Sequence, residues 1–72
     1  MKNEIVAAIV EQMECELANA THYLLTENND LFRYYAGKAE GMRDVLECLY
    51  NWDERYATEH IKNMWDIIDE NW

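Results

Sequence analysis

The sequence contains no proline and no serine. Without proline, no position has a locked φ or a missing backbone donor, so helices can run long. Without serine, the usual hydroxyl nucleophile of acyl-transfer triads is absent. Glycine occurs only at Gly37 and Gly41, and there is neither an Asn-Gly nor an Asp-Gly turn nor any sustained apolar–polar alternation, which argues against strands and hairpins. The only two cysteines, Cys15 and Cys48, are no disulfide framework. No Cys-x-x-Cys, His-Glu-x-x-His or Glu-x-x-His motif is present. Long apolar runs are missing too. The run over residues 5–10 stops at Glu11, well short of the roughly 20 residues a membrane span needs, and no secretory signal is read there. The expectation is a cytoplasmic protein with no membrane contact and with reduced thiols.

Positive charge is scarce as well. Six Lys and Arg face 15 Asp and Glu, for a net charge of -9. Such a chain repels phosphates, which argues against direct nucleic-acid binding and favours protein surfaces that are themselves basic. What the chain has in quantity is apolar and aromatic surface. Half of it is hydrophobic, with three Trp, five Tyr and one Phe among its 72 residues. That is enough to fold, but a domain this small buries only about 60% of its unfolded surface. Tight helix packing, a metal or self-association commonly supplies the rest.

Helical spacing occurs three times, which predicts an all-α fold, one domain over residues 1–72, with helices at about 4–26, 31–50 and 53–71. In the first segment Val6, Ile9, Val10, Met13, Leu17, Ala20 and Leu24 share one side, with Asn3 as the expected N-cap. The polar run 27–30 ends it, an Asn taking the left-handed stop and Asn29 or Asp30 capping the next helix. In the second segment the stripe is Leu31, Tyr35, Ala39, Met42, Val45, Leu46 and Leu49. A short link makes these two segments an antiparallel helical hairpin. The third stripe is Ala57, Ile61, Met64, Trp65, Ile68 and Trp72. It is rotated from the second by roughly a quarter turn, which implies a break near residues 51–53. Asn51 and Glu54 have capping-box spacing there. One long bent helix from residue 30 onward is the alternative.

Several features are candidates for function. Gly37 and Gly41 each cost about 1 kcal/mol inside a helix. Their use is close approach, either to a Tyr or Trp of the third helix or at a seam with a second copy. Glu4, Glu11, Cys15 and His22 offer metal-ligand chemistry on the polar face of the first helix. Cys15 and His22 lie about 10 Å apart along the axis, too far for one ion without a third element. His60 lacks an identifiable partner, and no nucleophile–base spacing is present, so no enzyme, cofactor or resident metal is expected. Carboxylates are the strongest feature: Glu40, Asp44 and Glu47 on the outer side of the second helix, and Glu59, Asp66 and Glu70 in line on the third. Rows of this kind can imitate phosphates. Most aromatics are expected in the core, with one or two of Tyr34, Trp52, Tyr56 and Trp72 forming an exposed patch that anchors a partner or a homodimer.

The run Tyr34-Tyr35-Ala36-Gly37-Lys38-Ala39-Glu40-Gly41-Met42 and onward to Leu46 resembles a pattern found in small helical proteins of bacteriophages. The size and acidity are similar to those of phage-encoded anti-CRISPR inhibitors. That family shares no common motif, so no residue role carries over. The resemblance implies an inhibitor that blocks a basic nucleic-acid-binding surface of a host protein. A structural or regulatory homodimer and a metal-binding module are the alternatives from the residues themselves.

Overall fold

The computed structural model describes residues 2–72, with the side chains of residues 2, 3 and 54 outside the described set. Three α-helices follow one another: α1 (Lys2–Leu25), α2 (Asn29–Leu49) and α3 (Glu59–Asn71), with a single 3-10 turn at Glu54–Tyr56. No strand occurs among the described residues. α1 is about 36 Å long at 1.5 Å per residue, close to the longest dimension of the molecule, 39 Å.

α1 and α2 form the antiparallel hairpin. Glu16 meets Lys38 near mid-length, and Tyr23 stacks on Tyr35 closer to the turn, so partners approach one another in number as the turn is neared. The turn itself is tight. The Glu27 N–H donates to the Leu24 carbonyl and the Asn28 N–H to the Tyr23 carbonyl, a Schellman stop with Glu27 in the left-handed region at φ 60. Glu27, not an Asn, takes that conformation. Asn28 then serves as the N-cap of α2, its Oδ1 accepting from the Leu31 N–H, in place of the expected Asn29 or Asp30. At the other end of the chain α1 begins at Lys2, so Asn3 lies inside the helix and does not cap it.

The core is one cluster drawn from all three helices: Met13, Leu17 and Ala20; Phe32, Ala36, Ala39 and Leu46; Ile61, Met64, Trp65 and Ile68; with Trp52 from the connection. The stripes expected on α1 and α3 are the ones found, except that Trp72 is exposed. On α2 the expected stripe holds in part: Ala39 and Leu46 are buried and Tyr35 and Met42 pack against the core, but Phe32 and Ala36, left outside the stripe, are buried, Leu31 is half-buried, and Val45 and Leu49 face outward. The core-facing register is 32, 36, 39, 43 and 46. Its fourth member is Arg43, whose guanidinium carbon lies 3.9 Å from the centre of the Trp65 ring. A charged residue in the seam conceals that register from a hydrophobic reading. Stacking on an aromatic face is what lets arginine sit there. The Trp65 indole N–H is buried and has no acceptor.

The second break is longer than expected. α2 stops at Leu49, and the Tyr50 and Trp52 N–H groups both donate to the Leu46 carbonyl while Asn51 takes φ 54. α3 does not start at Asp53. Its N-cap is Thr58, whose hydroxyl accepts from the Ile61 N–H. Asn51 therefore does not cap an α-helix, the Glu54 side chain of the expected capping box lies outside the described residues, and the single bent helix is excluded. Asp53 instead organises the intervening turn, accepting from the Arg55 N–H at 2.9 Å and pairing with its guanidinium at 3.3 Å. α3 runs back beside α1 and reaches Phe32 of α2 with the Trp72 ring at its far end.

Candidate functional site

α3 has 13 residues and α1 has 24. The short helix leaves the first turns of α1 without a helix opposite them, and the connection over residues 50–58 covers them only in part. A groove of about 600 Å³ remains between them. Val6 and Val10 from α1 and Ile61 from α3 supply apolar lining, and Trp52, 8% exposed, closes one side. Tyr56, 70% exposed, and the carboxylates of Glu11 and Glu14 border it. Glu11 and Glu14 follow the groove because residues 6, 7, 10, 11 and 14 of a helix share one broad face. Among the described residues no Lys or Arg lines the groove. The nearest cation in the connection, Arg55, is tied to Asp53, and that contact holds the Asp53 carboxyl below its ordinary pKa, chiefly through the Arg55 backbone N–H.

The expected carboxylate rows are exposed on the outer surfaces. Asp44 and Glu47 on α2, and Glu59, Asp66 and Glu70 on α3, face solvent and make no ion pair among the described residues. Glu40 differs, being half-buried and 3.9 Å from Arg43. On α3 the three acids lie within about 40° of one line along the helix, taking 100° per residue.

The four expected aromatic anchors do not form one patch. Tyr56 borders the groove, and Trp52 beside it is buried, not exposed. Trp72 is at the opposite end of the bundle, edge-on to Phe32 at 6.2 Å. Tyr34 projects from α2 with its ring edge-on to Tyr35 and 5.2 Å from the Lys38 ammonium. Gly37 and Gly41 are exposed, and nothing lies within 4 Å of where a Cβ would stand. The expected packing against a ring of the third helix is absent, so within this chain the glycines serve no close approach.

Charge also enters the interior. Glu16 is 3% exposed and pairs with Lys38 at 2.7 Å, while Asn19 Nδ2 donates to its Oε1 at 3.3 Å. That hydrogen bond to Glu16 raises the Lys38 pKa above its ordinary 10.5. Cys15 and Cys48 are exposed free thiols. Among the described residues no group of three or more His, Cys, Asp or Glu is placed to hold a metal, and His22 instead packs edge-on to Tyr23. No helix is long and apolar enough to cross a membrane.

Sequence reading missed the groove. Its signal was present but indirect: a third helix shorter than the first, with Glu11 and Glu14 one turn beyond Val6 and Val10. No protein-family model, curated protein or solved structure matches the chain.

Proposed function

We propose that this protein binds a basic surface of another protein and covers it against nucleic acid. One observation carries the reading: carboxylates on two helices, Asp44 and Glu47 on α2 and Glu59, Asp66 and Glu70 on α3, stand in water with no cation paired to them among the described residues. Exposed like charges repel one another, and a partner's Lys and Arg relieve that repulsion on contact. An inhibitor of a bacterial defence nuclease, as the sequence resemblance implies, is a sharper form of the same proposal. The reading assigns no catalytic step.

The test begins with capture and identification of a bound protein, followed by competition. Duplex DNA displaces the captured partner, and charge reversal at Glu59, Asp66 and Glu70 weakens the complex by about tenfold or more while leaving helicity unchanged. A partner that binds DNA and this protein simultaneously contradicts the proposal.

The outer face of α2 favours a second reading, a homodimer. Tyr34, Gly37, Gly41 and Val45 lie together on that face, exposed and with no neighbour over the glycines. In a monomer Gly41→Ala raises stability by about 0.5–1 kcal/mol, because the helix gains propensity and meets no clash. If a second copy packs there, the same change weakens association, and light scattering at high micromolar concentration shows the loss of dimer.

A further inference from the structure

We propose that the groove beside the first turns of α1 receives an arginine side chain from the partner's basic surface; this rests on the protein-binding reading above and assigns its anchoring site. The groove's volume, about 600 Å³, falls in the range of built ligand pockets, roughly 300–1,000 Å³. Its chemistry is mixed in a particular way. Val6, Val10 and Ile61 offer apolar surface for an aliphatic stem, and Tyr56 presents a largely exposed ring beside the carboxylates of Glu11 and Glu14. Among the described residues neither carboxylate has an ion pair and no cation lines the groove.

That complementarity selects the occupant. An apolar side chain entering here takes water from two carboxylates and returns nothing, which is costly. An anion meets two negative charges. The positive end of α3 does face this region through Thr58, but Glu59 in its first turn answers it and the Thr58 hydroxyl takes the Ile61 N–H. A cation on an aliphatic stem satisfies every wall at once. Guanidinium suits the site better than ammonium, because it is planar, weakly hydrated, stacks on aromatic rings and pairs with carboxylates through two N–H groups.

The experiment is a titration of the ¹⁵N-labelled protein with a capped peptide of alternating leucine and arginine, beside the same peptide carrying neutral citrulline for arginine. The expected result is saturable shift changes at Val10, Trp52, Tyr56 and Ile61, with the arginine peptide tighter by about tenfold. Glu11→Gln with Glu14→Gln, and separately Tyr56→Ala, each weaken it by about fivefold or more. Glu11 and Tyr56 are exposed and Glu14 is half-buried, and the same spectra report directly whether each variant keeps the fold. Asp30→Asn with Asp69→Asn, two exposed acids near the opposite end of the bundle, changes binding by less than about twofold. Shifts centred on Asp66 and Glu70, equal binding of the citrulline peptide, or no saturation overturns the groove site. Because no partner is used, that failure leaves the protein-binding reading intact. A captured partner that fails to compete with nucleic acid overturns that reading and not the groove.

Discussion

Glu16 shows how single residues decide stability in this chain. Its carboxylate is almost fully buried, and Lys38, at 2.7 Å, is its counter-ion. The two halves of the pair are unequal. Removing the cation strands a charge in the interior, whereas removing the carboxylate leaves an exposed ammonium that water solvates. Lys38→Met is therefore expected to destabilise the protein more than Glu16→Gln does, as measured by urea unfolding at neutral pH. The Lys38 pKa is raised on folding, so its contribution is full below the ordinary lysine value of 10.5 and is lost as pH climbs through the higher folded value. Tyr34 and Tyr35 lie against the same ammonium, so the useful quantity is the gap between wild type and Lys38→Met, which closes on the alkaline side. Glu27 is a second residue with a defined cost. A side chain held at φ 60 is strained by about 1 kcal/mol, and glycine is not. Glu27→Gly is expected to raise Tm by several degrees in a thermal scan, about 4–8 °C per kcal/mol for a domain of this size. No change, or a fall, shows that the turn gains nothing from a residue free to adopt positive φ.

At the scale of elements, caps separate a turn from a helix. Thr58 and Asn28 each accept a backbone N–H three residues on, and Thr58→Ala or Asn28→Ala is expected to cost about 1 kcal/mol in denaturant unfolding. Asn51 holds φ 54, which asparagine tolerates better than alanine, so any cost of Asn51→Ala is expected from backbone strain and not from a lost α-helix cap. The same comparison explains what was legible. The α1 and α3 stripes could be read because nearly every core-facing position is apolar. The α2 stripe was read only in its middle, at Ala39, Met42 and Leu46, because Arg43 occupies the seam and Phe32 and Ala36 were left outside the stripe. Glu16 was hidden for the same reason, a charge at a core-facing position whose partner lies on another helix. Helix count and the hairpin followed from spacing and the short link. The groove did not, because it comes from a difference in helix length that appears only once α3 is placed beside α1 and the residues before Thr58 are seen to be non-helical.

The whole molecule combines a modest core with a net charge of -9. Self-repulsion at that charge opposes compactness and is screened by ions within a Debye length, about 10 Å at 0.1 M salt. Tm is thus expected to rise as sodium chloride increases from about 50 mM to about 500 mM. A Tm that falls shows that local pairs such as Glu16–Lys38 outweigh the global repulsion. Binding has the opposite sign. The carboxylates that repel one another in the free protein attract a basic partner, and the same ions screen that attraction. The measurement that bears most directly on the account is the affinity for an identified partner as a function of salt. It should fall by about tenfold or more between about 50 mM and about 300 mM sodium chloride while the fold grows more stable. An affinity that stays constant over that range contradicts an electrostatic role for the acidic surface.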